Sequence, residues 1–160
     1  MRPKPFRPEP LTSPRPDYVR DAATGLVWHR ASYRSLYVDT DRSQVVYHAN
    51  YLRYFEVGRC ELMRAADYPY KAIEESGYLY PIIKTELNYY TPLRYDDLMH
   101  IHTRPTMMEL VKVQFDYLIT RAEDGEIICT GYTRHCAVNS RGLPVEIDDK
   151  TRALWQGFPK

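Results

Sequence analysis

Residues 39–51 of the chain read DTDRSQVVYHANY and join a strand-like stretch to the start of an amphipathic helix. Two carboxylates, Asp39 and Asp41, stand at this junction, and His48 follows Asp41 by seven residues. The first N–H groups of a helix have no partner within the helix and favour negative charge. A carboxylate beside them suits acid–base or nucleophilic attack on a polarised carbonyl. Both aspartates could also act simply as caps of the turn or helix.

The segment after this junction has the apolar periodicity of a helix over residues 49–66. The apolar positions at helical spacing are Leu52, Phe55, Leu62, Met63 and Ala66. Glycine inside a helix costs roughly 1 kcal/mol against alanine, so Gly58 indicates a close packing contact. Pro69 ends this helix, and a shorter helix is predicted over residues 70–76.

The remainder of the chain reads as a meander of strands. A strand is predicted before the long helix over residues 28–38, and four follow it over 80–90, 97–106, 111–120 and 126–139. Residues 148–156 favour a terminal helix. This element order indicates an α+β fold in which an antiparallel sheet wraps around one long central helix.

The first 26 residues are predicted to form a Pro-rich arm that precedes one domain over residues 27–160. Six of the first 16 residues are prolines. Proline lacks an N–H group and biases the preceding residue away from the helix, so an extended and poorly packed arm is expected. A loose tail is favoured over a peptide ligand for a partner.

Composition argues against several classes of function. The net charge of +1 and the pI of about 7.7 give no bias toward nucleic acid or acidic membranes. No apolar run approaches the roughly 18–20 residues of a membrane span, and no signal peptide is recognisable. The three cysteines are odd in number and lack metal-ligand spacing, so reduced thiols in a cytoplasmic protein are expected. Membrane insertion and nucleic-acid binding are therefore not expected.

The stretch from residue 39 to residue 51 resembles the acyl-CoA thioesterases of the hotdog fold. The closest resemblance is to the 4-hydroxybenzoyl-CoA thioesterase group and its relatives associated with the Tol–Pal system. The family pattern is roughly acidic-x-Asp-x-x-Gly-hydrophobic-Val-Tyr-His-x-x-Tyr, and this chain supplies every position except the glycine. Residues 90–98, YTPLRYDDL, resemble a second family segment between strands. The resemblance covers about residues 28–157 and implies a hotdog fold.

This resemblance also implies an activity and a set of site residues. The activity is hydrolysis of an acyl- or aroyl-CoA thioester, with CoA as part of the substrate and without a cofactor or metal. Asp41 matches the catalytic aspartate, which acts as nucleophile or general base, and the backbone N–H at His48 matches the position that polarises the carbonyl. The expected substrate contacts are Tyr47, Asn50, Val46 and Gln44. Pockets of this fold form between subunits, so the resemblance implies a homodimer, with a homotetramer built from dimers.

Arg42-Ser43-Gln44 is where the chain departs from the family pattern, which has a glycine in place of Gln44. Glycine readily adopts positive φ and allows close backbone approach, so Gln44 bears on the loop conformation and on the acyl entrance. Arg42 is a candidate ion-pair partner of Asp39 or a candidate contact of a CoA phosphate. Two alternatives to hydrolysis stay open: a hotdog hydratase or dehydratase that uses the His48 side chain, and a non-catalytic acyl-thioester binding protein.

Two further groups have weaker functional interpretations. Glu56 lies in the central helix, where another branch of hotdog thioesterases places a catalytic glutamate, but Arg53 three residues earlier offers an ordinary ion pair. His100 and His102 share one strand face. Two histidines without a third ligand at suitable spacing favour ordinary surface or interface histidines over a metal site.

Overall fold

The computed structural model describes residues 2–11 and 17–160. They contain seven strands, three α-helices and one 3₁₀ turn at Tyr37–Asp39. The strands are β1 (Pro8–Pro10), β2 (Tyr18–Asp21), β3 (Val27–Arg34), β4 (Ile82–Tyr89), β5 (Leu98–Met108), β6 (Lys112–Arg121) and β7 (Ile127–Cys136). The helices are α1 (Asn50–Ala65), α2 (Tyr70–Glu75) and α3 (Asp149–Gln156).

All seven strands belong to one antiparallel sheet with the order β1-β2-β3-β5-β6-β7-β4. Strands β5, β6 and β7 follow one another as hairpins, whereas β4 lies at the far edge beside β7. Ile101 of β5 lies opposite Ile119 of β6, and both side chains are fully buried under the helix. The predicted α+β architecture, with an antiparallel sheet around a long helix, is confirmed.

Helix α1 packs one face against the centre of the sheet. Its buried residues are Tyr51, Tyr54, Phe55, Gly58, Leu62 and Met63. The close contact predicted at Gly58 is confirmed, because a Cβ there would lie 2.5 Å from the Ile101 and Thr103 side chains of β5. The Phe55 ring stacks on Tyr117 of β6, with ring centroids 4.2 Å apart. Among the described residues, no helix has the length and apolar character needed to cross a membrane.

The strand predicted over residues 28–38 is shorter in the structure. Strand β3 ends at Arg34, and the chain then turns into the 3₁₀ segment. Tyr37 and Val38 favour a strand by residue type, but their side chains are 78% and 77% exposed. The turn forms because the Leu36 N–H donates to the buried Asp39 carboxylate at 2.9 Å. A side-chain contact therefore overrides the strand preference of this segment.

The described part of the N-terminal arm is packed against the sheet, which corrects the expectation of a poorly packed arm. Strand β1 pairs with β2 and β2 pairs with β3, so the sheet continues across the predicted domain boundary. Phe6 packs against Trp28 and His102, with ring centroids 6.1 and 4.6 Å away. The prolines of β1 are accommodated because this strand forms the outer edge of the sheet. Pro14 and Pro16 lie outside the described residues.

Candidate active site

The predicted acidic site lies on a tight hairpin loop between the 3₁₀ turn and α1. Thr40 and Val46 form an antiparallel bridge across the loop. The Asp41 N–H donates to the Val45 carbonyl at 3.1 Å, and the Gln44 N–H donates to the Asp41 carbonyl at 2.9 Å. Gln44 has a φ of 63°, in the left-handed region where glycine is the usual residue of such a loop. Gln44 therefore adopts the kind of conformation for which glycine is normally used.

Asp41 presents its carboxylate on the exposed side of this loop. Its Oδ1 accepts the Ser43 N–H at 2.7 Å, which fixes the side chain relative to the backbone. Its Oδ2 accepts no hydrogen bond from any residue that the structure describes. One oxygen of Asp41 is thus held while the other is open to a substrate or a water molecule.

Asp39 is fully buried and supports the site from beneath. Its Oδ1 accepts the Arg53 guanidinium at 3.0 Å, and its Oδ2 accepts the Tyr54 hydroxyl at 3.0 Å. Burial and the nearby Asp39 carboxylate raise the pKa of Tyr54 above its ordinary value, so the phenol stays protonated and donates. These contacts correct two expectations: Asp39 pairs with Arg53 rather than Arg42, and Arg53 does not pair with Glu56.

The first turn of α1 leaves backbone N–H groups available. Its N-cap residue is Ala49, whose side chain cannot accept a hydrogen bond. The N–H groups of His48 and Ala49 donate to no atom of residues 2–11 or 17–160. The His48 carbonyl accepts the Tyr89 hydroxyl of β4 at 2.8 Å, which fixes the peptide group that carries the Ala49 N–H. Together with the positive end of the helix dipole, these groups favour a negatively charged oxygen.

Two of the four expected substrate contacts lie at the open surface of the loop. Tyr47 is 44% exposed, and its ring lies beside that of His48, with centroids 4.3 Å apart. Gln44 is exposed at the tip of the loop. Both side chains are accessible to a ligand that approaches Asp41, and their substrate contacts stay predictions.

The other two expected contacts are engaged in holding the loop. Val46 is buried, and its N–H donates to the Leu93 carbonyl at 2.8 Å. The Asn50 side-chain amide donates to the Asp39 carbonyl at 2.8 Å. Val46 thus anchors the loop to the core, and Asn50 ties the helix start to the 3₁₀ turn. A direct contact of either residue with substrate also stays a prediction.

Tyr89 is the part of this site that sequence reasoning missed. It lies 41 residues after His48 and reaches the site only because β4 crosses to the sheet edge beside the start of α1. Tyr89 is one of 15 tyrosines in the chain, so residue type alone does not distinguish it. Tyr89 could be placed at the site only from the order of the strands in the sheet, which local sequence does not reveal.

The structure places one histidine of the β5 pair in the core, which corrects the expectation of two surface or interface histidines. His102 is fully buried, and its Nδ1 lies 3.0 Å from the Leu118 carbonyl, to which it donates. The His100 ring is 6.3 Å from that of His102 and bonds instead to the Ser32 hydroxyl. Across residues 2–11 and 17–160, no group of three His, Cys, Asp or Glu side chains is arranged to hold a metal ion.

The sequence is similar to those of proteins described as thioesterases. The family model of the thioesterase-like superfamily matches residues 37–154. YneP of Bacillus subtilis is 39% identical over 107 residues, which make up 67% of this chain and 77% of that protein. The acyl-CoA thioester hydrolase YbgC of Escherichia coli is 34% identical over 91 residues, which make up 57% of this chain and 68% of that protein.

Solved structures share the fold. A hypothetical protein from Aquifex aeolicus aligns with a TM-score of 0.75 at 26% identity, covering 79% of this chain and 98% of that chain. The DHNA-CoA thioesterase from Staphylococcus aureus aligns with a TM-score of 0.77 at 22% identity, covering 81% and 89% of the two chains. At 22% identity, the similarity to the protein from Staphylococcus aureus shows the fold alone. The predicted hotdog fold is confirmed by these alignments.

Proposed function

This chain belongs to the thioesterase-like superfamily, and we propose that it hydrolyses the thioester of an acyl-CoA or aroyl-CoA to the free acid and CoA. One observation carries the proposal: a single loop presents the open carboxylate of Asp41 next to a helix start whose His48 N–H has no partner among the described residues. The relative from Escherichia coli is named as an acyl-CoA thioester hydrolase, which supports the same bond as the target.

Hydrolysis at this site follows one of two routes from the same carboxylate. In the first, an Asp41 oxygen attacks the thioester carbon, the C–S bond breaks, and water then hydrolyses the resulting anhydride. In the second, Asp41 takes a proton from water while the water oxygen attacks that carbon, and the C–S electron pair leaves with CoA as the thiolate. CoA enters as part of the substrate, and neither route calls on a cofactor or a metal.

Both routes develop negative charge on the thioester oxygen. The His48 N–H is the donor proposed for this oxygen, and the dipole of α1 adds to its effect. Loss of one such donor costs about 2.7–4 kcal/mol of transition-state stabilisation in comparable sites. The bond from Tyr89 to the His48 carbonyl fixes the peptide group that joins His48 to Ala49, which directly follows the donor.

The two alternatives are less well supported by the loop. A hydratase or dehydratase would need the His48 imidazole as a proton carrier, and this ring is packed beside Tyr47 with no carboxylate bonded to it in the described residues. The alternative of a non-catalytic binding protein rests on the replacement of the family glycine by Gln44. The positive φ of Gln44 supports retention of a glycine-type loop conformation, which favours a working site.

We propose a homodimer as the working unit, joined through strand β4. This strand pairs with β7 along one edge, and its other edge has no strand partner in the described residues. Its Ile82, Ile83 and Tyr89 side chains are each about half exposed. An open apolar edge is a template for pairing with another chain. Because Tyr89 also bonds to His48, a partner along β4 would lie against the site.

Two such dimers would form the homotetramer that the family resemblance implies. Light scattering on the purified protein tests the assembly, since one chain has a mass of 18.9 kDa. A mass of two or four chains is expected. A mass of one chain at micromolar concentration would contradict the dimer while leaving the proposed chemistry to its own test.

The chemistry is tested by thiol release from a panel of acyl-CoA and aroyl-CoA thioesters, followed with a thiol-reactive dye. Release of free CoA is expected for at least one substrate of the panel. A new enoyl absorbance without free thiol would instead establish a dehydratase. Saturable binding of the thioesters with no release from any of them would establish a non-catalytic binder.

A further inference from the structure

A cavity of about 260 Å³ lies between α1, α2, α3 and the sheet, away from the acidic loop. Most of its wall is apolar and includes Met63, Ile73, Phe115 and Trp155. Its polar wall comes chiefly from Arg59 of α1 and His135 of β7, with Glu56 exposed at the mouth. The chamber therefore combines an apolar lining with one guanidinium.

Arg59 begins a chain of buried hydrogen bonds. Its Nη1 donates to the Tyr117 hydroxyl at 3.0 Å, and that hydroxyl lies 2.7 Å from the Thr133 hydroxyl. Thr133 in turn lies 2.8 Å from His135 Nε2, and His135 Nδ1 lies 2.8 Å from the Tyr80 carbonyl. The Tyr80 carbonyl can only accept, so Nδ1 carries the proton and each hydroxyl donates onward toward Nε2.

This chain of bonds brings no anionic group to Arg59, and the Glu56 carboxylate acts on it only through space. Burial, with the nearby Arg59 guanidinium, lowers the pKa of His135 to about 4, so His135 is neutral at physiological pH. No salt bridge joins Arg59 to a carboxylate within the described residues, Glu56 included. Within residues 2–11 and 17–160, its guanidinium donates one hydrogen bond, although this group has five donors. A largely buried cation without a carboxylate partner favours an anionic ligand.

Strand β4 runs from the start of α1 to this cavity. The register places Ile82 opposite His135 and Leu87 opposite Gly131, and residues paired in this way point to the same face of the sheet. That face carries α1, because the Phe55 ring lies against Gly131. Ile82 lines the cavity, whereas Tyr89 at the other end of β4 bonds to His48. Strand β4 thus spans the two sites along the side of α1.

The distance between the acidic loop and Arg59 limits which acyl groups can reach from one to the other. Eleven residues separate His48 from Arg59, which corresponds to about 16 Å along a helix axis. Helical side chains lean toward the N-terminus, so the guanidinium reaches back toward the acidic loop and shortens this span. A medium-length acyl chain with its thioester at His48 would bring its far end to the region of Arg59.

We propose that this cavity receives the far end of the acyl group and that Arg59 binds a carboxylate there, so that the substrates are ω-carboxyacyl thioesters. The inference rests on the proposed thioesterase function for its substrate, but its binding site is a separate set of residues. The guanidinium forms a bidentate pair with the distal carboxylate, while the apolar wall of the cavity contacts the end of the methylene chain.

The kinetic test compares decanedioyl-CoA with decanoyl-CoA, which differ only in the terminal carboxylate. Wild type is expected to favour the dicarboxylic substrate in kcat/KM by at least about tenfold, the effect of one charge-assisted hydrogen-bonded contact. Arg59→Met removes the charge at similar volume and is expected to abolish that ratio. The matched control is Arg64→Met on the same helix, because Arg64 pairs with Glu61 at the surface and is expected to leave the ratio unchanged.

A ratio near one in wild type, or a ratio that persists in Arg59→Met, would overturn the proposal. If Arg59→Met does not fold, Arg59→Lys replaces it, since lysine keeps the positive charge but cannot form a bidentate pair with a carboxylate. Arg59→Lys is expected to reduce the ratio several-fold, and an unchanged ratio in this variant contradicts the proposed pair.

A binding measurement separates failure of this proposal from failure of the proposed hydrolysis. Trp155 lines the cavity, and the only other tryptophan, Trp28, is removed by Trp28→Phe. Decanoate, whose single carboxylate can reach Arg59, is expected to change the Trp155 fluorescence saturably. The change should disappear when Arg59→Met is added. If no thioester is hydrolysed and decanoate still binds in this way, the cavity assignment stands alone; if decanoate has no effect, it fails.

Discussion

At Gln44 the backbone has a φ of 63°, which costs an ordinary L-residue about 1 kcal/mol or more relative to glycine. The conformation persists because the loop is closed on both sides by backbone hydrogen bonds at Asp41. The Asp41 carboxylate depends on this closure for its position. The departure from the family pattern is therefore a cost in stability rather than a change in the shape of the loop.

We expect Gln44→Gly to raise the free energy of unfolding by up to about 1 kcal/mol, because it relieves the positive φ. Chemical denaturation of the two proteins measures the difference. Ser43→Gly is the matched control, since Ser43 has no positive φ and glycine there only adds freedom to the unfolded chain. That control should lose about 0.5–1 kcal/mol. Equal losses in both variants would show that Gln44 is not strained.

Asp39 and Asp41 show how much of the candidate site can be predicted from the sequence. The pattern from residue 39 to residue 51 locates the loop, and it pairs one carboxylate with a helix start. It does not reveal that Asp39 is buried under Arg53 and Tyr54 whereas Asp41 is exposed. Burial is decided by residues on the helix that folds back over the loop, so spacing alone could not assign the two roles.

The secondary elements follow from local periodicity wherever one face is buried. Helix α1 and strand β6 are predicted to within two residues, because their apolar residues repeat at the helical and strand periods. Strands β1 and β2 were not predicted. β1 is short and Pro-rich, and it gains its order from edge pairing and from the contact of Phe6 with Trp28. Such tertiary contacts leave little trace in local sequence.

At the scale of the helix, Gly58 sets the distance between α1 and the sheet. Alanine would gain about 1 kcal/mol of helix propensity, but its Cβ would lie 2.5 Å from Ile101 and Thr103. We expect Gly58→Ala to lower the free energy of unfolding by about 1–3 kcal/mol, because overpacking outweighs propensity. Thermal and chemical denaturation measure it, with the exposed Arg64→Ala on the same helix as control. A more stable Gly58→Ala protein would contradict the packing described for α1.

The strand order illustrates what the whole molecule adds to its elements. Chain order suggests that β4 would pair beside β3, yet it lies at the opposite edge of the sheet. This placement brings Tyr89 to the start of α1 and Ile82 to the cavity. The acidic loop and the cavity both depend on the placement of β4 at this edge. That placement is set by packing around α1 rather than by the local pattern of β4.

Among the three buried histidines, His102 and His135 have the most strongly lowered pKa values and make the stability of the molecule sensitive to acid. Burial is the main cause that lowers the pKa of His102 to about 3 and that of His135 to about 4, against 6.5 for both in the unfolded chain. Between these values the unfolded state binds more protons than the native state, so stability falls as the pH falls below 6.5. The contribution of neutral histidine is fully present above that pH.

We expect the free energy of unfolding to decrease from pH 6.5 to pH 5 with a slope that approaches about 2.7 kcal/mol per pH unit for two histidines. Urea denaturation across this range measures the slope. His102→Gln combined with His135→Gln should reduce it, because glutamine does not titrate; His29 and His100, whose pKa values burial also lowers, still contribute. A slope that is unchanged in the double variant would assign the acid sensitivity to other groups.

The central claim is that the exposed Asp41 carboxylate attacks the thioester or activates water, while buried Asp39 supports the loop. It is tested most directly by measuring kcat/KM for thiol release in Asp41→Asn, on the best substrate of the acyl-CoA panel. We predict a loss of at least about a hundredfold. The unfolding temperature should stay unchanged, because the amide oxygen can still accept the Ser43 N–H. Asp39→Asn should instead lower the unfolding temperature. Wild-type kcat/KM in a folded Asp41→Asn protein would contradict the account.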